Sequence, residues 1–193
     1  MGGPWHGVRW RECLEVARQA PAGANSQGWQ FVFGTEAGNK KVIGELYQKS
    51  WYAYAASSGQ RYAKDDLRRE QLPRVASSAQ YLADRMHEVP VMVIPCIEGR
   101  VDRAGASNAD MAGLYGSILP AAWSFMLAAR DRGVVGSWTT LHLNYEREVA
   151  DLLGIPYERY TQAALLALGF STGGEFHRAQ RIPSDGIVHW EKW

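Results

Sequence analysis

The chain has 193 residues, 46% of them hydrophobic and 21% charged, with a formal net charge of +1. That size and balance suit one globular domain with room for a core, and near-neutrality removes the electrostatic case for nucleic acid or an anionic membrane as partner. The apolar runs read as too short or too interrupted to span a bilayer, and the opening MGGPWHGVRW has no apolar stretch of the kind a secretion signal needs.

In chain order, the pattern predicts a first helix over residues 8–19, where Leu14, Val16 and Ala17 sit among charges and Pro21 prevents continuation. WQFVFG reads as a strand that stops at Gly34. Residues 38–56 resume a helical period through Val42, Leu46 and Tyr47, with Ile43 flanking. SSGQRYAKDD is a polar loop, mobile or a lid. A long helix follows over residues 67–88, interrupted or begun again near Pro73.

VPVMVIPCIEG is a compact β-branched run between turn residues and reads as a buried strand. Residues 110–131 are apolar almost all round. A helix of that kind belongs in the middle of the molecule or in a subunit interface. Pro120 should kink or break it, and Gly133 should end it. VVGSWTTLHL is strand-like, NYEREVADLLG is a short helix opened by an Asn144 cap and closed by Gly154, and TQAALLALGF is another buried strand. The tail HRAQRIPSDGIVHWEKW is extended and amphipathic, which suits docking on a partner subunit. Helices and strands alternate irregularly, which favours an α+β domain over residues 1–193 with a mixed or antiparallel sheet wrapped by helices.

The familiar chemical motifs are missing. There is no GxGxxG after a strand and no GxxxxGK[ST]. His6, His87, His142, His177 and His189 have no HExxH or HxxxH spacing and read as surface or hydrogen-bonded structural residues, so no metal site is expected. Ser137 lies between Gly136 and Trp138 and lacks the second glycine of a nucleophile elbow. Cys13 and Cys96 are far apart and read as reduced, buried thiols of a cytoplasmic protein. With no nucleophile, metal or acid–base pair in view, a cofactor is expected to carry any hard chemistry, and no side chain is assigned a catalytic role.

Three stretches in fixed order carry more. QAPAGANSQGWQ, GSWTTLHL and RAQRIP, with HWEKW at the end, resemble the FMN-dependent nitroreductase family, most closely small actinobacterial members, from about Arg11 to the C-terminus. The resemblance implies a domain-swapped homodimer with FMN in a groove between the subunits, the final residues 180–193 docking on the partner. It places Pro21, Ala22, Gly23 and Asn25 beside the flavin, where small side chains let backbone approach the ring and the Asn amide can donate and accept. Gln27 and Trp29 would anchor the turn into the strand. Ser137, Trp138, Thr139 and Thr140 would flank one face and the N5 edge of the ring. Arg181 would grip the phosphate. A companion Lys of the family falls near Ala179, and Arg178 is the substitute.

Two departures stand out. Ala22 occupies a position where the family commonly has Ser, which removes one polar contact. The Arg-x-Ser-x-Arg segment expected upstream is replaced by MGGPWHGVRWRE, and Arg9 and Arg11 fall at the start of the next helix, so residues 1–10 look truncated or atypical. The implied activity is NAD(P)H-dependent reduction of a nitroaromatic or quinone-like planar acceptor, with NADH or NADPH as hydride donor, by ping-pong transfer through flavin N5. The alternative is a weakly flavin-binding or non-catalytic dimer. A third reading keeps the fold and changes the reaction to flavin fragmentation, dehalogenation or heterocycle dehydrogenation.

Overall fold

The computed structural model describes residues 10–57, 62–171, 173 and 176–193. Among them, strands β1 (Trp29–Gly34), β2 (Val91–Glu98), β3 (Val134–Thr139), β4 (Tyr160–Gln162) and β5 (Leu165–Phe170) form one sheet. The order is β1-β2-β5-β3, β4 also pairs β2, and every pairing is antiparallel. Strand β2 is central and buried from Val91 to Ile97, as its unbroken apolar run requires.

TQAALLALGF makes two strands where one was expected. Strand β4 meets β2 at Cys96–Glu98 and β5 meets it at Val91–Val93. The gap at Ala163–Ala164 faces Pro95, whose carbonyl accepts from Ala163 N at 2.9 Å. Amide and carbonyl of a strand residue point to the same side, so the donor that Pro95 lacks falls at this gap.

Helices cover both faces of the sheet. On one side lie α2 (Ala37–Ser57), α3 (Leu67–Arg85) and α5 (Glu146–Leu153), with Ile43, Tyr47, Trp51 and Val149 packed on Met92, Ile94 and Leu165. On the other lie α1 (Trp10–Ala17) and α4 (Asn108–Asp131), with Cys13 and Phe125 packed on Val91, Val93, Leu166 and Leu168. The two sets of sheet residues alternate, as the strand period of two demands. Both cysteines are buried and free, and burial pushes the Cys96 thiol up to about 12.

Several local expectations change. Ile43 and Tyr47 face the core while Val42 is exposed, so the core stripe of α2 runs one residue later than the pattern suggested. Helix α3 continues through Pro73, whose exposed position leaves the freed carbonyl open to water, and then tightens to a 3₁₀ turn at Met86–Glu88. Helix α4 likewise runs unbroken through Pro120. Strand β3 ends at Thr139, and Leu141–Tyr145 form a 3₁₀ turn in which Asn144 is internal. Helix α5 therefore begins at Glu146 without a side-chain cap, and ends as expected at Gly154, with φ of 68°. Four residues of the expected lid, 58–61, lie outside the described residues, as do 1–9, and its first residue, Ser57, closes α2.

By length and composition α4 is apolar enough to cross a membrane, contrary to the reading of the runs as too interrupted. Its Ile118, Ala121, Ala122 and Phe125 are nonetheless fully enclosed against the sheet. Its other face carries Leu119, Trp123 and Leu127 at four-residue spacing, 38%, 55% and 54% exposed. The tail from Phe176 to Trp193 is exposed throughout.

Phe125 meets Trp10, Phe31 and Phe33 with ring centroids 5.6–6.1 Å apart, tying α1, α4 and β1 together. Phe125→Ala should cost about 3–5 kcal/mol in urea denaturation; a loss below about 1 kcal/mol would mean the ring cluster does not carry this side of the core.

Candidate functional site

The stretch after α1 folds into a strained bend. Gly23–Asn25 form a single 3₁₀ turn, with Asn25 N donating to Ala22 O at 2.9 Å. Ala24, Asn25 and Gln27 all have positive φ, 51°, 54° and 51°. Left-handed backbone costs a non-glycine residue about 1–2 kcal/mol, and such strain gathers at functional sites. Helix α4 holds the bend: Ser117 Oγ accepts from Gly23 N at 2.9 Å, and Ser117 O accepts from the Trp29 indole at 2.7 Å. Trp29 thus anchors the bend as expected, and Gln27 Nε2 donates to Asn25 Oδ1 at 3.1 Å. Ser117 was not singled out in the sequence, where it looks like one small residue in an apolar helix. The capping box of Ser107 and Asp110, which starts α4 and sets its register, was the legible signal nearby.

The second stretch lies elsewhere. Ser137, Trp138 and Thr139 line a cavity of about 680 Å³ between β3 and α3, walled also by Tyr47, Trp51 and Arg74. Strand β3 is a sheet edge among the described residues, so one side of its backbone has no strand partner. Trp138 serves twice, since it also packs against the Phe125 cluster. Thr139 Oγ1 donates to Tyr47 OH at 3.4 Å, and Thr140 O accepts from Leu143 N at 3.0 Å as the following 3₁₀ turn begins. Gly23 borders a different cavity of about 340 Å³, with Ser26, Glu98 and Ser117, into which neither Ser137 nor Thr139 opens. The fold therefore gathers each motif but keeps Pro21, Ala22, Gly23 and Asn25 apart from Ser137, Trp138, Thr139 and Thr140 within one chain.

Arg178 and Arg181 are in the exposed tail. Phe176 packs its ring on the Arg130 guanidinium, 3.7 Å from its centroid, and Gln180 Oε1 accepts from Gln71 Nε2 of α3 at 3.4 Å. These contacts lead the tail from the end of α4 to α3.

A polar network backs the second motif. Arg100 makes paired hydrogen bonds to Glu146 at 2.9 and 3.0 Å, bonds Asp102, and lies over the Tyr157 ring. Asp102 and then Glu146 hold the guanidinium pKa up. Glu146 Oε1 accepts from Gln162 N, and Gln162 Nε2 donates to Glu146 O, both at 2.8 Å. Next to Gln162 is His142, fully enclosed. Among the described residues neither of its ring nitrogens finds a well-formed hydrogen-bond partner, and nor does Gln162 Oε1. Sequence reasoning had placed this histidine at the surface or in a hydrogen bond. Burial drives its pKa down to about 4, with the Gln162 side chain offsetting part of the effect.

A sequence model of the nitroreductase family matches residues 9–170. The chain belongs to this family. Solved nitroreductase-fold structures superpose over nearly the whole chain. Iodotyrosine deiodinase bound to FMN and 3-iodo-L-tyrosine aligns with a TM-score of 0.70 at 19% identity, covering 100% of this chain and 91% of that one. A BluB-like flavoprotein from Clostridium difficile 630 gives 0.64 at 18%, covering 95% and 88%. The FMN and NADPH-dependent nitroreductase NfnB from sphigopyxis sp. strain HMH gives 0.61 at 17%, covering 95% and 88%. At such identities the likeness is one of fold. No curated protein sequence matches significantly.

His142 gives a pH test. Its folded pKa of about 4 lies below the ordinary histidine value of 6.5, so the unfolded chain takes up the proton first. The stability it contributes is complete above about pH 6.5 and is lost as pH falls towards 4, by about 3 kcal/mol in all. His142→Asn should flatten the urea midpoint against pH across that window relative to wild type. Identical slopes would contradict a neutral, buried imidazole.

Proposed function

We propose that the protein is a homodimeric FMN-dependent NAD(P)H oxidoreductase that reduces planar acceptors of the nitroaromatic or quinone type. The observation that carries this reading is the 680 Å³ cavity onto which Ser137, Trp138 and Thr139 open. Its volume is in the range of small-molecule and cofactor sites. The residues fit the flavin: Trp51, Tyr47 and Trp138 offer flat apolar walls, the edge of β3 offers backbone donors for polar ring atoms, and a cation stands at the α3 side.

The complementary half is the bend at Gly23–Asn25. It would come from a second copy, because in one chain it borders a separate cavity. The uncovered Leu119–Trp123–Leu127 stripe of α4 and the exposed Ile187, Val188 and Trp190 of the tail supply apolar surface for that dimer.

When bound, FMN would supply the hydride chemistry at N5, taking a hydride from NAD(P)H and passing it to the acceptor. The chain's part is to hold and orient. Donors at Ser137–Thr140, along the β3 edge and just past its end, would fix the ring, the small residues Ala22 and Gly23 would let the partner's bend lie close to it, and the aromatic walls would exclude water and stack the acceptor. Among the described lining residues of the cavity there is no carboxylate, imidazole or thiol, as suits a reaction whose difficult step is hydride transfer on a cofactor. Donor and acceptor would occupy the same cavity in turn, giving ping-pong kinetics.

The purified protein should be yellow, hold close to one flavin per chain as a dimer, and oxidise NADH or NADPH faster when a nitroaromatic or quinone is added, with parallel double-reciprocal plots. A colourless protein that ignores added FMN would contradict the proposal and favour the non-catalytic dimer. Donor oxidation that no such acceptor accelerates would shift the chemistry to another reaction on the same fold.

A further inference from the structure

We propose that Arg74 binds the terminal phosphate of FMN, acting with Arg181 at the α3 side of the cavity; this rests on the flavin reading above. On α3, Gln71, Arg74, Val75 and Ser78 recur at spacings of three, four and seven and so share one face. Arg74, Val75 and Ser78 line the cavity together with Ser137 and Thr139. Arg74 is the charged residue among the described lining residues, and it has neither a carboxylate nor a ring partner among them. The arginines at the two ends of the same helix are satisfied: Arg68 pairs with Asp66 and Arg85 with Glu88. An unpaired guanidinium in the wall of an otherwise neutral, aromatic cavity fits a ligand that is flat and apolar at one end and anionic at the other.

The tail strengthens the assignment from a second direction. Gln180 meets Gln71 one turn before Arg74, which brings the tail onto α3 with Arg181 next in sequence. Among the described residues the Arg181 guanidinium bonds the carbonyl of Gln180 alone, at 3.2 Å, which leaves most of its donors available. Two guanidiniums converging on one site without a carboxylate between them would repel each other, and an oxyanion with several acceptor oxygens would relieve that by bonding both. A phosphate does this more completely than a single carboxylate. The other possible source of the oxyanion is an acidic group on the substrate.

The test compares FMN with riboflavin, which lacks the phosphate. Flavin-free wild type, Arg74→Gln and Arg74→Lys are titrated with each by flavin fluorescence, with melting curves to check folding. Arg74→Gln should weaken FMN roughly tenfold to hundredfold, the usual scale for a charge-assisted hydrogen bond. It should leave riboflavin within about twofold, reduce the salt dependence of FMN binding, and be partly rescued by Arg74→Lys. Unchanged FMN affinity would overturn the proposal, as would equal losses for FMN and riboflavin. So would an effect confined to the KM of a carboxylated nitroaromatic relative to a neutral one, which would give the oxyanion to the substrate. Wild type that binds neither flavin would sink the flavin reading itself, a result distinct from all of these.

Discussion

Helix α4 carries apolar side chains on two faces, and a single chain covers one of them. Ile118, Ala121 and Phe125 are enclosed by the sheet, while Leu119, Trp123 and Leu127 form an exposed stripe one turn apart. A stripe of that kind on a helix this central has to be covered by something. The same helix carries Ser117, which fixes the Gly23–Asn25 bend through one side-chain and one backbone contact. The bend is thus attached to the element whose outer face is uncovered. A second copy docked on α4 would bring its own bend and tail with it, and this is how two separate half-sites can become one.

The other half-site is rigid for a different reason. Strand β3 is a sheet edge, so among the described residues no strand across the ladder fixes its outer side. Its exit is fixed from behind by the 3₁₀ turn at Leu141–Tyr145, the buried His142, and the Arg100–Glu146–Gln162 network. A buried imidazole without a firm partner is costly. It is tolerated here in its neutral form, which links the stability of the cavity's back wall to pH.

Much of the fold was legible because its signals are local. The continuous apolar run of β2, Gly34 at the end of β1, and the left-handed stops at Gly133 and Gly154 all lie in the sequence and hold in the structure. The errors arose where tertiary context overrides local preference. Pro73 and Pro120 sit inside intact helices, the Ala163–Ala164 gap exists because β2 contains Pro95, and Asn144 is drawn into a turn that starts at Thr140. The site motifs were legible as stretches. Their surroundings were not: Ser117, Tyr47 and Arg74 are 94, 92 and 63 or more residues from the motif positions they meet or share a cavity with, and nothing in their local pattern marks them.

The central claim is that each flavin site combines the bend of one chain with the β3–α3 cavity of another, and subunit mixing tests it most directly. Gly23→Glu should spoil the bend, because a Cβ placed there would already touch Ser117 Oγ at 3.6 Å and the charged remainder of the side chain would crowd the Ser117 contact that holds the bend, and Ser78→Trp should fill the cavity. Neither variant alone should hold flavin. Differently tagged copies, mixed and purified as the hybrid dimer, should regain one flavin per two chains, because one bend and one cavity remain intact and face each other. A hybrid dimer that binds none would place each site within a single chain and contradict the account.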